Sequence, residues 1–124
     1  MGAMRAPLLA LLTLLPLAAQ APDAAPAGRS VAELRGFFAK ECARCHGADG
    51  SARDAQGKGL RGEDFTNSRA MRSKKDVKMA LVIRKGLFFG KAMPAFKDQL
   101  TEAEALRMVT EVIRKAEKGK AIEP

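Results

Sequence analysis

With 124 residues, the chain has room for one hydrophobic core and not for a second domain of ordinary size. Two cysteines and a single histidine limit its metal donors, and the absence of Trp and Tyr beside a net charge of +8 argues against a stacking surface for nucleic acid. A core this small, with six Phe as its only aromatic residues, gains from any apolar group that adds buried area.

The N-terminus reads as an export signal. Arg5 precedes a leucine-rich run over residues 6–19, broken by Pro7, Thr13 and Pro16. A positive start, a short apolar core and a small-residue tail match a secretory signal. The run is shorter than the roughly 18 apolar residues that suggest a membrane-spanning helix. Residues 1–21 are assigned to the signal, ending in Ala19-Gln20-Ala21. Pro22 hinders cleavage there, which brackets the cut between residues 19 and 25. An uncleaved anchor is the alternative; a lipid-modified terminal cysteine is excluded, since the segment has none. The expected location is the periplasm, with no stable membrane insertion after cleavage. Residues 22–29 form an Ala/Pro-rich linker.

The first helix opens at Ser30, where Ser30 and Glu33 have the spacing of a capping box. Val31, Leu34, Phe37 and Phe38 supply its apolar face. It runs into Cys42-Ala43-Arg44-Cys45-His46, the most informative stretch of the chain. Two thiols separated by two residues can each add to one vinyl group of a porphyrin, and the imidazole that follows can ligate the iron. This C-x-x-C-H spacing is the attachment signature of c-type haem. A zinc site would need a fourth ligand from a carboxylate or water, and a thioredoxin-like dithiol would need a preceding strand that is missing here. One covalent haem c is the expected cofactor, and the chain without it is expected to fold poorly.

Residues 47–73 are polar and glycine-rich and read as loops. Their few apolar residues, Leu60, Phe65 and Met71, are the expected anchors against the porphyrin. Ser73 with Asp76 signals a second capping box. The helix it opens carries Val77, Met79, Ala80, Leu81 and Ile83 and stops at Gly86.

Residues 87–97 form a loop that contains Met93. His46 is the only histidine, so the second iron ligand cannot be another one, and a Met/His pair is the ligation expected of cytochromes c. Met1 and Met4 belong to the signal, and Met71, Met79 and Met108 lie in or beside helical patterns. Met93 is favoured over them, because Pro94 holds the preceding residue extended and lets a thioether project from the loop. The last helix opens with Thr101 and Glu104, shows Leu106, Val109, Ile113 and Ala116 at helical spacing, and is expected to end at Gly119.

Taken together, residues 30–119 resemble the class I c-type cytochromes, in particular small exported bacterial ones with one haem. The resemblance rests on Cys42-Ala43-Arg44-Cys45-His46-Gly47, on Gly86 before the loop, on Met93-Pro94-Ala95-Phe96 and on Leu100-Thr101. It implies an all-α cytochrome c fold, about three main helices wrapped around one covalently bound haem, followed by a short tail over residues 120–124. It also implies that the first and last helices cross near the haem edge and that the methionine loop closes the distal side. Lys58, within Gly57-Lys58-Gly59-Leu60, stands where the family usually has a proline whose carbonyl accepts a hydrogen bond from the ligating histidine. Lys58 and Leu60 therefore join Cys42, Cys45, His46 and Met93 as expected cofactor-binding residues, with His46 and Met93 on the iron. Val112-Ile113-Arg114 stands where the family often has an aromatic residue, which points to a looser helix crossing.

Removing the signal takes away only Arg5 and leaves +7. Between residues 53 and 85, ten basic residues face four acidic ones. Such an excess suits steering toward a redox partner with an acidic docking surface, or is simply a solvated face. The function expected is a soluble, monomeric, single-electron carrier without catalytic residues. The alternative is a haem enzyme or ligand sensor with a labile sixth ligand.

Overall fold

The computed structural model describes residues 28–124 together with Gly2. The export signal, most of the linker, Met1 and Met4 lie outside the described residues. Helices form the fold, and among the described residues the only extended pairings are the isolated bridges Arg53 with Gly59 and Leu87 with Met93.

Helix α1 (Val31–Phe37) begins where the capping box places it. Glu33 N–H donates to Ser30 Oγ at 3.2 Å, and Ser30 N–H donates to Glu33 Oε2 at 2.7 Å. The helix continues through a π-type turn, Phe38–Cys42, into α2 (Ala43–His46). The turn inserts one extra residue into the helical run.

A helix not expected from the sequence follows the first loops. Asn67 caps α3 (Ser68–Arg72) by accepting from Ala70 N–H at 3.1 Å. This changes the start of α4 (Asp76–Lys85), whose expected box with Ser73 does not form. Ser73 closes α3 instead and donates its hydroxyl to Ala70 O at 3.1 Å. Asp76 is engaged by Arg114, whose Nε lies 2.8 Å from Asp76 Oδ1. The same guanidinium donates to Met71 O at 2.6 Å, so one cation ties α3 and α4 to the last helix.

Helix α5 (Glu102–Arg107) has both bonds of its capping box, with Glu104 N–H to Thr101 Oγ1 at 3.1 Å and Thr101 N–H to Glu104 Oε2 at 3.0 Å. It continues through a second π-type turn, Met108–Val112, and a final 3-10 turn, Ile113–Lys115. The helical run stops at Lys115, short of the expected Gly119, because the chain turns back to be anchored. Gly119 N–H donates to Asp49 Oδ2 at 2.7 Å, and Ile122 N–H donates to Ala48 O at 2.7 Å. Residues 120–124, read as a tail, thus bury Ile122 against the body.

The core lies where α1 packs against the Met108–Val112 turn. Leu34, Phe38, Leu100, Met108, Val109 and Val112 are fully buried there. A large side chain buried this way contributes about 1.5–3 kcal/mol.

Glu104 clamps the chain entering α1 onto α5. It is only 7% exposed and accepts from Arg29 N–H at 2.9 Å, from the Arg29 guanidinium at 3.1 Å and from Thr101 N–H. The backbone bond from Arg29, then that from Thr101, hold its carboxyl below the usual carboxylate range. A depressed carboxyl stabilises the fold above its unfolded pKa of about 4.3 and loses that contribution as pH falls through the folded value. Glu104→Gln is therefore expected to cost about 2 kcal/mol at neutral pH. In urea unfolding, the gap between variant and wild type should narrow as pH falls below the usual carboxylate range and Glu104 becomes protonated.

Candidate functional site

Cys42 closes the first π-type turn and Cys45 stands three residues on, so the two thiols share a helix face. Both are free and half-buried. Together with His46 they border one cleft of about 670 Å³. Phe38, Phe65 and Ile113 line it from the core side, and Val82, Ile83 and Met93 from the side of α4 and the methionine loop. Burial, followed by the neighbouring Glu41, pushes the Cys42 thiol up to about 12. A thiol so raised stays protonated at neutral pH. Among the described residues no three His, Cys, Asp or Glu side chains converge to hold a metal ion by themselves.

His46 is held from two sides. Its ring stacks on Phe65 with centroids 4.4 Å apart, and Nδ1 lies 3.0 Å from the Glu63 carbonyl. Burial lowers its pKa, partly opposed by the Glu63 carbonyl and charge, so the neutral ring is favoured. A neutral ring that donates Nδ1–H to a carbonyl leaves the Nε2 lone pair for a metal. Gly62 makes this approach possible. It donates to Cys45 O at 2.7 Å, and a Cβ there would come within 2.6 Å of His46 Nδ1 and collide with Cys45 O.

The hydrogen bond expected at Lys58 is therefore made at Glu63. Lys58 O instead accepts from Asp54 N–H at 2.9 Å, and Asp54 Oδ1 takes the Lys58 N–H at 2.8 Å. The Arg53 to Gly59 bridge closes this segment on itself, and the chain returns to the motif only at Gly62 and Glu63. Leu60 is also outside the cleft: it borders a shallower depression with Ala43, Gly47 and Ala121. Sequence reasoning missed Gly62 and Glu63. The available signal was a glycine two residues after Leu60 in an otherwise polar stretch.

Of the expected apolar anchors, Phe65 borders the cleft, whereas Met71 is buried in the core. Met93 reaches the cleft on a hairpin, and Met79 of α4 borders it as well. Leu87 N–H donates to Met93 O at 3.0 Å, and Phe96 N–H donates to Ile83 O at 3.0 Å. Gly86 has φ +72 and sits so close that a Cβ would meet Met93 O at 2.5 Å. The rim adds cations, including Arg44, Arg61, Lys75 and Lys78, with Lys74 paired to Glu63 at 3.3 Å.

Two free thiols on one helix face, a neutral imidazole, an apolar slot and a cationic rim suited to carboxylates fit a haem. Residues 29–110 match the family described as cytochrome c oxidase, cbb3-type, subunit III. The chain belongs to this family. Among solved structures it is similar to the KustC0563 c-type cytochrome, at 28% identity and a TM-score of 0.53, over 66% of this chain and 94% of that one. A mutant of the same cytochrome matches at 27% identity, with a TM-score of 0.52 over 65% and 94%. No curated protein matches.

The protein is thus a small c-type cytochrome with the all-α fold of that class, and its family points to haem-based electron transfer. Its Cys42, Cys45 pair agrees with covalent attachment of the haem. In protein made with haem-attachment machinery, the haem should stay with the polypeptide through denaturation and acid–organic extraction. Cys42→Ala or Cys45→Ala should leave one thioether or none, read as a shift of the reduced pyridine spectrum and a loss of retained haem.

Proposed function

We propose that this cytochrome is an exported single-electron carrier in which His46 and Met93 ligate the iron of one covalently attached haem. The observation that carries the reading is the convergence of the only histidine, both cysteines and a loop methionine on one apolar cleft. Bound haem supplies a one-electron couple. The chain's own residues decide how that couple behaves. Cys42 and Cys45 fix the group to the end of the first helix, and Glu63 O orients His46. The Met93 thioether favours the reduced iron and fills the position that an external ligand would need. Phe38, Phe65 and Ile113 exclude water, which further penalises the more highly charged oxidised state.

The leucine-rich N-terminal run supports export to the periplasm, where attachment of this kind is expected, and the basic excess supports a partner with an acidic surface. The family description, an oxidase subunit, supports delivery of electrons toward a terminal oxidase, as a free monomer or as a docked subunit.

A redox-titrated visible spectrum tests ligation directly. Met93→Ala should abolish the weak far-red band of methionine–iron ligation and admit carbon monoxide or cyanide. It should lower the potential by on the order of 0.1 V, a fraction of the roughly 0.8 V that axial ligands span. Met79→Ala is the control, since Met79 borders the same cleft; a change confined to that variant would move the ligand to Met79. Gly86→Ala should act on the same band indirectly. Forcing a Cβ against Met93 O displaces the hairpin, so the band should weaken and stability fall by about 1–3 kcal/mol.

A further inference from the structure

Phe88 and Phe89 have no role in the cleft or the core. They form the tip of the Met93 hairpin, 77% and 106% exposed, and both have positive φ, 50° and 53°. A bulky side chain in that region is an outlier that folding stability disfavours. The tip is nevertheless ordered by hydrogen bonds: Gly90 N–H to Leu87 O at 3.1 Å and Lys91 N–H to Phe88 O at 3.1 Å. Two phenyl rings are thus held in water by a backbone that suits glycine or asparagine better. An observed outlier of this sort is grounds for a functional reading.

We infer that Phe88 and Phe89 are the docking anchor for an acidic electron-transfer protein, seated in an apolar recess on that partner. The inference rests on the carrier reading above and names the surface it uses. Charge selects the partner. Between residues 75 and 97 six basic residues stand against one acidic residue, Asp76, which Arg114 already engages. Lys75, Lys78, Lys85 and Lys91 are exposed, and among the described residues none of them takes part in an ion pair. A second copy of this chain would bring like charges together. An anionic lipid surface would satisfy the charge and the phenyl rings, but accepts no electron. Position favours the redox protein. Leu87 both borders the cleft and adjoins the tip, so a partner that takes the two rings comes to rest against the mouth through which an electron must leave. Aromatic anchors of this kind commonly carry a large share of binding energy at interfaces.

The test uses haem-loaded protein and the double variant Phe88→Asn with Phe89→Asn, because asparagine tolerates the left-handed backbone and removes only the rings. With ferricyanide, a small oxidant that needs no docking, both proteins should react within about twofold of each other. With a small blue-copper protein of acidic charge and apolar copper edge, the variant should react about tenfold more slowly, the loss of an aromatic anchor. Its slope against ionic strength should stay unchanged, since no charge is altered. The thermal midpoint of the variant should equal or exceed that of wild type; should it instead fall, the single Phe89→Asn variant must still show about a threefold loss. Unchanged rates with the copper protein would overturn the docking role. So would phenylalanine-dependent sedimentation of the protein with phosphatidylglycerol vesicles beside an unchanged copper-protein rate, which would give the tip to lipid. Wild-type protein inert toward ferricyanide would instead overturn the carrier reading itself.

Discussion

Leu34 and Phe38 meet Met108, Val109 and Val112 in a core without solvent, and this crossing of the first and last helical runs is the contact on which the site depends. The attachment cysteines belong to the same continuous run as Leu34 and Phe38, a turn or two beyond the crossing. Their position is therefore inherited from core packing. Both ends of that run are also tied to the opposite end of the chain. Arg29 and Glu104 clamp its beginning, and Ile122 on Ala48 closes the chain just after its end. Phe38 and Ile113 serve twice, as core residues and as lining of the cleft, so the slot and the core cannot be changed independently.

The opposite wall hangs from the same helix. Helix α4 packs on α5 and on the turn that follows it, and Arg114 holds the start of α4 through Asp76. The methionine hairpin is then hung from the end of α4, where Phe96 and Lys97 donate to Ile83 O and Arg84 O and Gly86 admits the backbone of Met93. Cysteines on one side and methionine on the other are thus referenced to one buried element. That arrangement suits the proposed pair of iron ligands, residues 46 and 93, which are far apart in sequence.

Features set by local chemistry were legible in the sequence. Ser30 with Glu33 and Thr101 with Glu104 cap the helices they announced, because each box satisfies its own backbone donors within four residues. The same spacing at Ser73 and Asp76 failed because both side chains had other claims, Ser73 at the end of α3 and Asp76 at Arg114, and only the folded chain reveals such competition. The end of the last helix was misplaced for a related reason: Gly119 is turned away to meet Asp49, seventy residues earlier in the chain. Lys58 shows the limit of a carried-over role. The family bond presumes a proline-stiffened segment, whereas Asp54 gathers residues 53–59 into their own turn and leaves Glu63 O to meet His46. That Cys42, Cys45, His46 and Met93 would gather at one cleft was legible because the cysteine spacing, a count of one histidine and a proline each constrain the answer without tertiary knowledge.

Charge on this chain is sorted by location. Pairs such as Arg114 with Asp76 and Arg84 with Glu102 join separate segments, at 2.7 and 2.9 Å. Among the described residues, the cations on the rim of the cleft and on the methionine hairpin mostly have no such pairing. An exposed ion pair is worth about 0–1 kcal/mol, so leaving those lysines unpaired costs the fold little. Free charges act over about 10 Å at 0.1 M salt, far enough to orient an approaching partner before contact. The cleft is mainly apolar beside its imidazole and thioether, and the cations stand on its rim. On the proposed carrier reading, the fold separates two properties that must be set independently. Ligands and burial set the reduction potential inside the cleft, and charge with apolar surface sets encounter at its mouth.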